Sequence, residues 1–295
     1  LLNKMPALDE TCTIVHTDKV ITNETKPSQA VRQGKGSSMQ MAIDSVRQGN
    51  AAGVVSAGNT GALMAMSKLG LRMLPGIDRP AIAGVFPTLR NELVMLDLGA
   101  NVDCDADNLV QFAVMGGIFS RAVLGVLNPK VGLLNVGSEQ VKGNSTLREA
   151  ATILSDSSYP MSFHGFVEGD DITKGEVDVI VSDGFSGNIA LKTLEGTVRL
   201  YSDYLRNAFK SSLASRLGYV LARRGLNKLR ARLDPRRYNG AMFVGLNGIV
   251  VKSHGGTDAF GFANAIGVAI DMASNNLNDR IIEELANNDA EDTVK

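Results

Sequence analysis

Four places in the chain put glycine, a side-chain amide and a hydroxyl or charge directly after a short apolar run. They are Gly58-Asn59-Thr60-Gly61, Gly99 to Asp103 around Asn101, Gly137 to Asn144 around Lys142, and Asp183 to Asn188. Small residues let backbone N–H groups approach a ligand, and amides and hydroxyls add donors. A helix that starts at such a turn adds the positive end of its dipole. The chemistry these turns suit is the holding of an anion, phosphate above all. A fifth turn, Ser253-His254-Gly255-Gly256-Thr257-Asp258, adds an imidazole.

Taken singly, the Gly58–Gly61 turn reads first as an ordinary helix cap and Lys142 as a solvated loop lysine. The recurrence of such turns points to one shared site, with Lys142 as phosphate clamp and Asn59 and Thr60 as a nest. The amides of Asn101, Asn144 and Asn188 complete it. Asp183 is placed to orient a lysine, Lys192 or Lys142, or else to close an Asx turn. His254 is placed to assist a leaving group or to orient phosphate. His16 and His164 lie in apolar contexts and read as packing residues. Cys104 has no histidine near it in sequence and is rejected as a nucleophile. The sequence contains no Cys/His metal spacing, no dinucleotide or Walker fingerprint and no GxSxG elbow, so neither cofactor nor metal is expected.

Apolar runs at Thr11–His16, Ala52–Ser56, Ala81–Phe86, Leu93–Leu98, Val131–Val136, Met161–Phe166, Val179–Val181, Ala241–Leu246 and Ile249–Lys252 read as strands. Helical patterns separate most of them, the longest from about Asp107 to Leu124. This alternation predicts a three-layer αβα fold with a doubly wound, mostly parallel sheet, spanning 1–295 as one domain. In such a sheet ligands bind at the carboxyl ends of strands, where the five turns fall.

Residues 203–237 differ in character and predict a protruding amphipathic helical hairpin. Leu205, Phe209, Leu213, Leu217, Val220 and Leu221 form one stripe, Gly225 interrupts it, and Leu226, Leu229 and Leu233 form a second. Ten Lys or Arg lie between Arg206 and Arg237 against the single acid Asp234, so an acidic counterpart is expected. Leu213, Leu217, Val220 and Leu221, with Arg223 and Arg224, would meet an anionic membrane surface, an acidic protein or a dimer mate.

The 295 residues carry a net charge of −1, which gives no bias toward nucleic acid. Two cysteines form no framework and fit a reducing compartment. No apolar run reaches the ~18 residues of a membrane span. The chain opens at Leu1 as if inside a fold, and an N-terminal segment is expected to be missing from it.

Together the turns resemble the PlsX-type phosphate acyltransferases of bacterial phospholipid synthesis. The matching stretches are SAGNTGAL (Ser56–Leu63), GIDRPA (Gly76–Ala81), LDLGANVDC (Leu96–Cys104), LVQFAVMG (Leu109–Gly116), VKGN (Val141–Asn144), SDGFSGNIALKTLEG (Ser182–Gly196), YNGA (Tyr238–Ala241) and KSHGG (Lys252–Gly256). The resemblance implies a fold like that of isocitrate dehydrogenases and phosphotransacetylases. It implies transfer of a long-chain acyl group from acyl carrier protein to inorganic phosphate, by direct attack of phosphate on the thioester. It further implies a cytoplasmic homodimer held peripherally on the inner face of the cell membrane, its product passing to a glycerol-3-phosphate acyltransferase there. The family's opening strand with its Asp-x-Met-Gly-Gly-Asp turn has no counterpart here. A coenzyme A-dependent phosphotransacetylase and a non-catalytic membrane-surface scaffold are the alternatives. A nicotinamide dehydrogenase is disfavoured for lack of a fingerprint.

Overall fold

A computed structural model describes residues 11–157 and 159–292, with side chains described to residue 286. Eight strands form one sheet: β1 (Gly53–Ser56), β2 (Ala81–Pro87), β3 (Glu92–Leu96), β4 (Lys130–Leu134), β5 (Ser162–Val167), β6 (Val179–Val181), β7 (Ala241–Val244) and β8 (Ile249–Lys252). Their order across the sheet is β1-β8-β7-β2-β3-β6-β4-β5. The pairs β1/β8, β3/β6, β6/β4 and β4/β5 are parallel, and the three pairs that join β8, β7, β2 and β3 are antiparallel. The sheet is mixed and mostly parallel, as the alternation predicts.

The antiparallel centre sets where the turns go. Ala81–Ala83 of β2 pair with β7, whereas Gly84–Pro87 pair with β3, so the two halves of the sheet are offset along β2. Strands β1 and β8 therefore run opposite to β3, β6 and β4. Both sets end near the middle of β2: Asp97, just past β3, accepts the N–H of Ile82, and Lys252, ending β8, pairs with Ala241, one residue from the partner of Ala83.

Helices cover both faces. On one lie α1 (Pro27–Gln33), α2 (Ser38–Arg47), α3 (Thr60–Leu71) and the first turns of α6 (Gly184–Lys210). On the other lie α4 (Ala106–Leu124), α5 (Ser145–Asp156), α8 (Ala259–Ser274) and α9 (Leu277–Asp292). Helix α4 is apolar nearly all round, with 14 of 19 residues buried, which marks a helix enclosed by the fold. It presses on the sheet at Gly116, where an added Cβ would lie 2.6 Å from Val179. Each large side chain it buries, Phe112 and Phe119 included, contributes about 1.5–3 kcal/mol.

Helix α6 continues past the sheet, and α7 (Leu213–Arg232) follows it after a break at Ser211-Ser212. Twenty-seven residues give α6 a length of about 40 Å. Phe209 meets Tyr219 edge-on at 5.5 Å, and Arg232 donates to the Thr88 carbonyl at 2.8 Å, which ties the end of α7 to the body.

Several expectations need correction. Thr11–His16 is not a strand: no described strand takes its backbone bonds, and Ile14 and Val15 are exposed. His16 and His164 are likewise exposed rather than packed. The break in the amphipathic stripe falls at Ser212, whose hydroxyl caps α7, and not at Gly225, since one mid-helix glycine costs only about 1 kcal/mol. Helices α8 and α9 are parted at Asn276, which takes φ +49°.

Candidate active site

The turns after β3, β6 and β4 lie side by side at the ends of three adjacent parallel strands. At their centre is a residue the sequence reading passed over. Asp97 is fully buried, and its carboxylate accepts N–H groups from Ile82, Gly99, Ala100 and Asn101 and the side-chain amide of Asn101. Burial raises its pKa, and these donors oppose the rise. The nest expected to take phosphate at Gly99–Asn101 is thus filled by the protein's own carboxylate.

Asn101 accordingly has no amide proton left for a ligand, because Nδ2 donates to the Pro80 carbonyl and to Asp97. Its carbonyl accepts from Gly184, which docks the β6 turn on the β3 turn. Gly184 and Gly187 allow that contact: a Cβ on Gly187 would fall 1.9 Å from the Asp97 carbonyl oxygen.

Asp183 caps α6, its two oxygens accepting from the N–H and the hydroxyl of Ser186 at 2.7 and 3.0 Å. No lysine among the described residues pairs with it. Lys192 pairs with Glu195 at 3.0 Å on the same helix, and Lys142 faces Glu139 at 3.8 Å. Of the expected donors here, Asn188 is exposed beside Gly99, and Asn144 caps α5 through its oxygen, accepting from Leu147. Lys142 is half exposed, and its ion pair with Glu139 is long and weak.

The second group of turns follows β1 and β8. Asn59 is a cap and a strap: Oδ1 accepts from Ala62, and Nδ2 donates to the carbonyls of Thr22, Asn23 and Thr25. Every polar atom of its side chain is engaged, so only Thr60, exposed at the first turn of α3, remains from that nest. The β8 turn is joined to it by the Ser253 N–H on the Ser56 carbonyl. His254 is exposed, and its Nδ1 accepts the Gly256 N–H at 3.1 Å. That bond leaves Nε2 as the outward donor of a neutral imidazole. Buried Asn239 donates to the Ser253 hydroxyl and the Gly261 carbonyl and accepts from the His254 N–H, which holds the turn's shape.

Lys252 is the second residue that sequence reasoning missed. It is 9% exposed, it donates to the Ser253 carbonyl, and no carboxylate among the described residues pairs with it. Burial lowers its pKa, with no neighbouring anion to oppose the shift. A buried ammonium without a counter-ion at a strand end is a place built for an anion or for developing negative charge.

Cys104 is no nucleophile. Burial first, then the carboxylates of Asp97 and Asp183, push its thiol up to about 11. A cavity of about 330 Å³ beside β1 is lined by Val20, Ile21, Met39, Val54 and Phe262 with Ser56 and Gly58 at its edge. Such a mostly apolar lining, which runs up to the β1 turn at Ser56–Gly58, suits hydrocarbon.

Solved structures share this architecture. A EutD phosphotransacetylase from Staphylococcus aureus superposes with a TM-score of 0.54 at 16% identity, covering 92% of this chain and 84% of that one. A branched-chain phosphotransacylase from Enterococcus faecalis gives 0.55 at 14% identity over 80% of this chain and 78% of its own. At such identities the likeness establishes the fold. Sequence comparison establishes more. The chain belongs to the fatty acid synthesis protein family, whose profile matches residues 1–280. Relatives named phosphate acyltransferase are 63% identical in Paramagnetospirillum magneticum and 64% identical in Rhodospirillum centenum, over 96% and 97% of this chain and 81% of each relative. The chain is an enzyme of acyl transfer to phosphate, within fatty acid and phospholipid synthesis.

Proposed function

We propose that the acyl donor is a long-chain acyl thioester on acyl carrier protein, and that inorganic phosphate attacks its carbonyl carbon directly. Phosphate is already anionic at neutral pH and needs little help from a base. A thiol leaving group with pKa near ~8.5 needs little help from an acid. What the reaction demands is charge: phosphate gathered and held, and the tetrahedral oxyanion stabilised as it forms. Lys142, Asn144 and Asn188 on the β4/β6 rim are the phosphate side. Lys252 and the Nε2–H of His254 on the β8 rim are the acyl side. The β3 end meets β2 at Ile82 and the β8 end lies level with the residue after Ala83, with β6 and β4 one and two strands beyond β3; the proposal has the two rims act on one pair of substrates.

The observation that carries this reading is Lys252, a buried cation that no carboxylate of the described residues neutralises. The chemistry forms the C–O bond to phosphate and breaks the C–S bond, the electron pair leaving on sulfur as thiolate.

The α6/α7 pair supplies what a free small thioester would not require. Leu213, Leu217, Val220 and Leu221 are all more than 60% exposed on α7, next to Arg216, Arg223 and Arg224. An apolar stripe flanked by cations fits an anionic membrane surface, where an amphiphilic acyl phosphate is best released to a membrane-bound acyltransferase. No helix among the described residues is long and apolar enough to cross a membrane. Exposed Ile266 and Ile270 on α8 give a second copy an apolar face to cover, which supports a homodimer.

Comparing kcat/KM for the same long-chain acyl group on acyl carrier protein and on coenzyme A tests the donor. The carrier-protein thioester is expected to be preferred by at least tenfold. Equal or higher values for coenzyme A would return the chain to the small-thioester class.

A further inference from the structure

Among the described residues, Asn135 holds the only buried side-chain amide nitrogen without a partner. The residue follows β4 and is 9% exposed. Its Oδ1 accepts the Val136 N–H at 2.8 Å, which fixes the amide's orientation and leaves Nδ2 as the free donor. The amide lies under Gly143, where an added Cβ would sit 2.4 Å from Oδ1 and 3.0 Å from Nδ2. Gly143 has φ +83° and leads into Asn144, the cap of the 12-residue helix α5.

Two features beside this donor favour negative charge. The α5 N-terminus presents its positive end, and Lys142 stands one residue before Gly143. A carboxylate, Glu139, meets Lys142 at only 3.8 Å and folds over Gly137, where an added Cβ would lie 2.7 Å from its Oε2. An unpaired buried amide is unfavourable unless something completes it.

We infer that Asn135 Nδ2 is the donor that reads a phosphoryl oxygen of inorganic phosphate, beneath Lys142 and the α5 N-terminus. The anion takes the place of the Glu139 carboxylate on Lys142 and gives Nδ2 its missing acceptor. Gly143 is required because any side chain there would push the amide aside. The inference rests on the reading of the chain as a phosphate-using acyl transferase, and it names the residue that confers use of phosphate.

Asn135→Asp separates a ligand role from a structural one. The aspartate keeps an oxygen for the Val136 N–H, so the turn is retained, but it replaces the donor with a negative charge. The expected result is a KM for phosphate raised about 10- to 100-fold, with KM for the acyl donor unchanged within twofold. Phosphate alone, titrated without acyl donor, should raise the melting temperature of the unsubstituted chain and not that of Asn135→Asp. A phosphate KM within twofold of the unsubstituted chain overturns the inference while leaving the function standing. A rise in the donor KM alone also overturns it, since the group read would then belong to the acyl donor. If no turnover is found with any donor, loss of the phosphate-induced shift in Asn135→Asp still upholds the subsite. Its persistence would remove it. Gly143→Ala should reproduce the phosphate defect without adding charge.

Discussion

Replacing Lys252 by Met should make this protein more stable and less active. The side chain is 9% exposed and has no carboxylate partner among the described residues, so folding removes an ammonium from water for one carbonyl contact. Methionine has similar reach and carries no charge. Removing a buried charge of this kind stabilises by about 1–3 kcal/mol. For a chain of this size that is roughly 2–4 °C in Tm per kcal/mol. The pH dependence gives a second signature. Because burial lowers the lysine pKa below its usual 10.5, the unfolded chain binds more protons between the lowered value and 10.5. Stability contributed at this position therefore rises with pH across that window and is constant below it. Lys252→Met should abolish the rise. Turnover should fall about 10²–10³-fold, the cost of removing one preorganised donor to a developing oxyanion. Thermal melts across pH and steady-state rates on the same two proteins make the test. A substituted protein that melts lower and still turns over within threefold would show that Lys252 is a packing residue.

Lys142→Ala should lower kcat/KM for phosphate at least a hundredfold with no change in Tm beyond 1–2 °C, because its contact to Glu139 is long and solvated. Unchanged phosphate kinetics would take Lys142 out of the site. Asp183→Ala should cost about 1 kcal/mol of stability for the lost cap, whereas Asp183→Asn, an equally good cap, should melt as the unsubstituted chain does. A large loss of turnover in Asp183→Asn at unchanged stability would restore the charge-orienting role that its contacts with Ser186 argue against. Leu217→Glu combined with Leu221→Glu should abolish flotation with vesicles rich in anionic lipid while leaving turnover of a soluble donor intact. Flotation that is equal on neutral and anionic vesicles, or absent in the unsubstituted chain, would defeat the membrane reading of α7.

The fold was legible because strand, turn and helix alternate with clear punctuation. Every long apolar run from Ala52 onward is a strand or helix close to where its pattern places it. Thr11–His16 failed because alternation alone does not supply a neighbour to pair with. The site was legible in part, for a specific physical reason. Asn and Asp at a strand-to-helix turn serve equally well as caps and as ligands, and the two uses look identical in sequence. Asn59, Asn101 and Asp183 turned out to spend their polar atoms on the protein itself. Asp97, Asn135 and Lys252 were hidden by the opposite ambiguity. They stand inside or at the edge of apolar runs and read as parts of strands, and only the register shows which of them is left with a charge or donor to satisfy. A lysine closing an otherwise apolar strand, as in Ile249–Lys252, and an asparagine closing another, as in Val131–Asn135, are the signals that would have found them.

The central claim is that phosphate itself attacks a carrier-protein thioester. The direct measurement incubates the purified chain with long-chain acyl carrier protein and inorganic phosphate, and quantifies released thiol and hydroxylamine-trapped acyl phosphate together. The account predicts a one-to-one ratio, and no thiol release when phosphate is left out. Thiol released without phosphate, or phosphate-dependent release with no acyl phosphate formed, would contradict it.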